Sequence, residues 1–170
     1  MSSHNVAKVM EFYVQAMYFL EAAILVTKHC AQEKPKNPVR YSNFETVIVG
    51  THHAFAAELL IKGIELFDVG AYSRGHNLYK LISKPECSIL KARLESKFNS
   101  SPQKYCSEGF PISGSSNADN DFEYYLKHHS QNFEKMRYAC EAMPPALDMA
   151  FTSFLCRELK EELRGKLGLE

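Results

Sequence analysis

The chain has 170 residues, with 20 Lys plus Arg balanced by 20 Asp plus Glu, so its formal net charge at neutral pH is zero. That length fits one domain, residues 1–170, with a core of its own. The charge balance excludes a protein held to nucleic acid or acidic lipid mainly by bulk charge.

The first helix is expected over about Asn5 to Glu33. Val6, Met10, Tyr13, Met17, Leu20 and Ile24 form one row, and Phe12, Ala16, Phe19, Ala23 and Val26 a second. Such a Met and aromatic stripe is read as core. The apolar run Phe12 to Val26 is interrupted by Gln15 and Glu21 and is read as too short to cross a bilayer. No basic start with a cleavage site precedes it, so no signal peptide is expected. Pro35 and Pro38 end this helix and turn the chain back.

The stretch from Ser42 to Gly70 reads as a long second helix. Ser42 and Glu45 form a capping box. Phe44, Val47, Ile48, Phe55, Leu59 and Leu66 form one apolar row, and Ala56, Ala57, Leu60, Ile64 and Phe67 a second. Only a narrow polar stripe remains, Thr51, Glu58, Lys62 and Glu65, which predicts a central place in a bundle. Gly70 is expected as the C′ residue and Ala71 to Gly75 as a link. His76-Asn77 should open a short helix, Leu78 to Ser83, stopped at Pro85.

A fourth helix is expected over Glu86 to Phe98, with Ile89, Leu90, Leu94 and Phe98 inward and Lys91, Arg93, Glu95 and Lys97 outward. Residues 99–118 change to a Ser, Gly and Pro-rich loop, read as disordered in preference to a lid. A fifth helix, about Asp121 to Met143, carries Phe122, Leu126, His129, Phe133, Met136, Cys140 and Met143 on one seam. Pro144-Pro145 breaks it. The sixth helix places Leu147, Phe151, Leu155, Leu159, Leu163 and Leu167 on one side. No strand pattern competes. The expected fold is all-α, an up-and-down bundle of about five or six helices.

Several polar groups carry possible chemistry, each beside a plainer reading. Arg137 and Glu141 lie one turn apart in the weaker Arg-before-Glu order, and Arg137 flanks the apolar seam. A bundle-locking salt bridge, with Glu58 as candidate partner, is preferred to a ligand contact. Glu58 and Lys62 form the favourable (i, i+4) order, read first as helix support. In a functional version Lys62 joins Arg137 in a small anion site. His76 is read first as a capping and packing residue, although Arg74, Gly75 and His76 at a helix start resemble an anion-binding corner.

The doublets His52-His53 and His128-His129 point about 100° apart on a helix, so neither can clamp one ion. No metal site is expected. His129 is read as a hydrogen-bonded core histidine. No P-loop, GxGxxG or GxSxG is present, and no cofactor is expected. The five cysteines, Cys30, Cys87, Cys106, Cys140 and Cys156, are odd in number and form no CxxC pair. Three of them fall in helical patterns, which suggests reduced thiols in a cytoplasm. The expectation is a soluble cytoplasmic chain without membrane contact.

Four segments in this order, AAELLIKGIEL, GHNLYKLI, ILKARLESKF and FEKMRYACE, resemble the HEPN family, the "higher eukaryotes and prokaryotes nucleotide-binding" helical proteins. The likeness spans roughly residues 43–142, interrupted by the long loop. It implies a helical bundle, often a homodimer through its long helices. The family includes RNases of toxin–antitoxin and phage-defence systems, partners of nucleotidyltransferases, and non-catalytic binding members. The RNase members carry an Arg followed, after four to six residues, by a His. None of the six arginines here has a His at that spacing, and Ala142, Met143 and Pro144 stand where Arg137 would need one.

The implied activity is therefore non-catalytic binding of a nucleotide, an RNA or a protein partner. Glu58, Lys62, His76, Arg137, Tyr138 and Glu141 are the marked residues. The alternatives are a divergent metal-independent RNase, pairing Arg137 with His53 or His129, and a purely structural homodimeric module.

Overall fold

The computed structural model describes residues 3–100, 122–136 and 148–169. These form α1 (Ser3–Glu33), α2 (Pro38–Val69), α3 (Leu78–Ile82), a short 3-10 turn (Pro85–Cys87), α4 (Ser88–Ser100), α5 (Phe122–Met136) and α6 (Met149–Leu167). Among the described residues there is no strand, so the protein is an all-α bundle.

α1 and α2 form the most extensive pair, and α6 lies along the other side of α2. α2 therefore has the central position its nearly continuous apolar surface demands. It starts at Pro38, four residues before the expected cap at Ser42. Proline is favoured at a helix start because its missing N–H would have no partner there. The proposed capping-box side chain of Ser42 lies outside the described side chains. At the other end Gly70 takes φ 83° and donates its N–H to the Leu66 carbonyl at 3.0 Å, closing the helix as expected. Gly63 lies against α6 with no room for a side chain: a Cβ there would stand 2.7 Å from Leu163 Cδ2.

The core joins Val9, Phe12 and Ala16 of α1 to Leu60, Ile61 and Ile64 of α2 and to Leu155, Leu159 and Leu163 of α6. Around the start of α6 an aromatic cluster fills the space between helices. Phe98, Phe122, Tyr125, Phe151 and Phe154 pack in tilted and edge-on pairs with centroids 5.4–6.4 Å apart. Such contacts add to the burial of the rings themselves. Asp148 caps α6, accepting from Ala150 N at 2.8 Å and Phe151 N at 3.0 Å. Ion pairs Lys97–Glu158 and Arg93–Glu162 tie α4 to α6.

Several expected inward positions are exposed. Ile89 on α4 is 75% accessible, because Leu90 beside it takes the core position and adjacent helical residues diverge. On α1 the Phe12, Ala16 and Ala23 row is buried, whereas Val6 and Ile24 of the first row are open to solvent.

The apolar run of α1 extends well beyond Phe12–Val26. Asn5–Glu33 and Glu45–Val69 are each long and apolar enough to cross a bilayer by length and composition. The bundle buries 56% of the apolar window in the second but only 22% in the first. α2 thus reads as a core helix, and α1 keeps an uncovered side.

Candidate functional site

The polar stripe of α2 does not face water. Glu58, Lys62 and Glu65 are each only 7% accessible. They are buried because residues 70–77, the link to α3, fold back over this part of α2. Two carboxylates hold that link. Glu58 Oε1 accepts from Lys62 Nζ and from His76 Nδ1, both at 2.8 Å. Glu65 accepts from Ser73 N and Ser73 Oγ, both at 2.8 Å, and from Lys84 Nζ at 2.6 Å. Burial pushes the Glu65 carboxyl upward, but the bonds from Lys84 and Ser73 together outweigh it and hold it below the usual carboxylate range.

Of the six residues marked from the sequence, the structure brings Glu58, Lys62 and His76 together. Arg137, Tyr138 and Glu141 lie outside the described residues. The expected role of His76 as a cap is corrected. Asn77 caps α3, its side chain accepting from Lys80 N at 3.0 Å, while the His76 ring turns back to Glu58. The anion-binding corner at the start of α3 is also corrected. Tyr79 N already donates to Ser130 Oγ at 2.7 Å and Lys80 N to Asn77, so these amides are committed within the protein.

The Lys62 ammonium pairs with Glu58 in a buried contact, while Arg137, its expected companion in an anion site, lies outside the described residues. The reachable polar surface is the link itself, with Arg74 exposed and the His76 side chain 53% accessible. Because Nδ1 of His76 donates to a carboxylate, its neutral ring carries the proton there and its basic nitrogen is Nε2. The Glu65–Ser73–Lys84 clamp was missed from sequence. Its one local signal was that Glu58 and Glu65, seven residues apart, share a helix face.

The histidine doublets diverge. His52 Nδ1 lies 2.7 Å from the Ile48 carbonyl, while His53 Nδ1 lies 3.0 Å from Thr152 Oγ1 on α6. Thr152 Oγ1 donates to the Met149 carbonyl at 3.1 Å, so the His53 Nδ1–H is the donor in that pair. His129 stacks on Phe151 with centroids 5.1 Å apart, but among the described residues its buried Nδ1 has no hydrogen-bond partner, in contrast to the expected hydrogen-bonded core histidine. Burial, helped slightly by the neighbouring histidine, lowers both His53 and His129 to about 4. Both are neutral at physiological pH, and their expected partner Arg137 lies outside the described residues.

Among the described residues no three His, Cys, Asp or Glu side chains converge as a metal site. A cavity of about 640 Å³ opens between α1, α2 and α6, with Ile24, Lys28, Glu45, His53 and Met149 on its walls. Comparison with family models, curated proteins and solved structures returns no match.

Proposed function

We propose that this chain is a HEPN-like, non-catalytic binding bundle of the cytoplasm that takes a nucleotide or a single-stranded RNA segment on the α2–α3 link. One observation carries the reading. A link that exposes Arg74 and His76 is fixed by two buried carboxylates, and burying charge this way is costly for a mere connector. Fixing the link pre-organises a cationic and an imidazole side chain at the surface, which suits phosphate and base contacts. The four sequence motifs supply the HEPN likeness, and with it a setting in prokaryotic defence or a toxin–antitoxin-like system. Cys30, Cys87 and Cys156 are buried free thiols, which fits a reducing compartment.

Fluorescence anisotropy with labelled oligonucleotides tests the proposal. Wild type should bind with a salt-dependent affinity, and Arg74→Ala and His76→Ala should weaken it while the fold stays intact. Absence of binding in folded wild type would turn the search to a protein partner.

A second reading is favoured by the Glu58–His76 contact. A carboxylate-held imidazole that reaches solvent has the arrangement of a general base. If the protein is a divergent metal-independent RNase, purified wild type cleaves RNA in the presence of chelator and His76→Ala does not. RNA binding without cleavage would retain the non-catalytic assignment.

A further inference from the structure

The cavity between α1, α2 and α6 lies along the first half of α2, away from the link that covers Glu58 to Glu65. Its volume, about 640 Å³, is within the range of about 300–1,000 Å³ that holds small molecules. The walls differ along its length. Lys28, Lys34 and Glu45 line the end nearer the α1–α2 turn, and Ala23, Ile24 and Val49 give an aliphatic middle. His53, Met149 and Ser153 line the end against α6. At a rise of about 1.5 Å per residue, His53 stands about 12 Å along α2 from Glu45. Ile24, 53% accessible and outside the core, forms part of a wall here.

Each end favours one chemistry. Among the described lining residues two ammonium groups stand against one carboxylate. Lys34 meets Glu45 only at 3.9 Å, and Lys28 is exposed with no ion-pair partner among the described residues. That end attracts a single negative charge. At the other end the Nδ1–H of His53 is committed to Thr152 Oγ1 at 3.0 Å. The ring forms part of the wall, so the nitrogen left over, Nε2, is the acceptor available to an occupant. Burial lowers this histidine to about 4, so at neutral pH it keeps that lone pair and requires a donor opposite it.

We propose that this cavity binds an elongated, singly charged amphipathic acid. Its carboxylate lies at Lys28 and Lys34, its aliphatic body between Ile24 and Val49, and a terminal hydroxyl donates to His53 Nε2. A medium-chain ω-hydroxy fatty acid has this layout and a length of that order. A neutral lipid would leave the lysines unmatched, and a nucleotide would set its sugar and phosphates against the aliphatic middle. The site is separate from the link carrying Arg74 and His76, so neither assignment depends on the other.

Isothermal titration calorimetry of the full chain with ω-hydroxydecanoate, its methyl ester and decanoate tests this. Wild type should bind one ω-hydroxydecanoate. Decanoate, lacking the hydroxyl, should bind about fivefold more weakly, and the ester, lacking the charge, about tenfold more weakly. Lys28→Glu should weaken the hydroxy acid by about tenfold or more and leave the ester unchanged. His53→Phe should bring ω-hydroxydecanoate and decanoate to equal affinity, a change that lost stability alone would not produce. Ser153→Phe, at an exposed wall position, should block all three compounds. Should circular dichroism show that it does not fold, Thr27→Phe on the facing helix fills the same space. No binding by folded wild type at millimolar concentration overturns the proposal. So does equal affinity for acid and ester, a Lys28→Glu or cavity-filling variant that binds like wild type, or a His53→Phe that still prefers the hydroxy acid. Loss of binding in Arg74→Ala would place the acid on the link and equally overturn it.

Discussion

Acidification should loosen this protein between about pH 6.5 and 4, and two histidines set that range. His53 and His129 meet the first turn of α6, one through Thr152 Oγ1 and the other by stacking on Phe151. Burial holds both at about 4, below the ordinary 6.5. In the unfolded chain they take up protons near 6.5, but in the folded chain only near 4. Between those values the unfolded state binds up to two more protons, so stability is full above about pH 6.5 and falls as pH drops toward 4. At roughly 1.4 kcal/mol per pH unit, each histidine accounts for up to about 3 kcal/mol of that loss. Glu65 and Glu158, pushed up by burial but held low on balance by Lys84 with Ser73 and by Lys97 with Arg157, contribute at lower pH. Asp148, pushed up by burial, works in the opposite direction.

Urea melts across this range should therefore show a slope approaching two protons. His129→Phe keeps the ring on Phe151 and removes a buried Nδ1 that has no hydrogen-bond partner among the described residues. It should reduce the slope by about one proton and raise neutral-pH stability by about 1–3 kcal/mol, the usual penalty of an orphaned buried polar atom. An unchanged slope, or a variant less stable at neutral pH, would refute this reasoning.

Other expectations follow from the buried clusters. Glu58→Gln alone should destabilise by about 3–5 kcal/mol by leaving the Lys62 ammonium buried without its carboxylate. Glu58→Leu combined with Lys62→Met should recover much of that in chemical denaturation, while releasing His76. Gly63→Val should cost more than about 2 kcal/mol by driving a side chain into Leu163, and Leu163→Ala should relieve part of it, giving a measurable coupling in a double-mutant cycle. The Cys156 thiol, pushed up to about 12 by burial, should resist alkylation at pH about 8 until the protein is unfolded, as intact-mass analysis will report.

Much of the fold was legible because its signals are local. Pro35, Gly70 and the Leu repeat of α6 fix helix ends and faces through backbone constraint and periodicity. The failures involve partners that periodicity does not name. Ile89 and Leu90 both fitted an apolar face, and only the neighbours of α4 decide which is covered. Val6 and Ile24 fitted the α1 pattern, yet α2 is too narrow to cover that side.

At the site, His76 adjoins a helix start and looked like its cap. Asn77 has the shorter side chain suited to that task, and the carboxylate that takes His76 is eighteen residues away in sequence. The grouping of Glu58 with Lys62 was readable from helical spacing. The clamp of Glu65 on Ser73 and Lys84 depends on how the link folds back, which no spacing rule states.

The most direct test of the central claim is a thermal-shift comparison of wild type with Arg74→Ala and His76→Ala, using nucleoside mono- and triphosphates and short RNAs. A ligand that binds the folded state raises the melting temperature by mass action. The expected result is a concentration-dependent rise in wild type that is reduced in both variants. A rise of equal size in all three proteins, or none in wild type, would contradict a nucleotide or RNA site on the α2–α3 link.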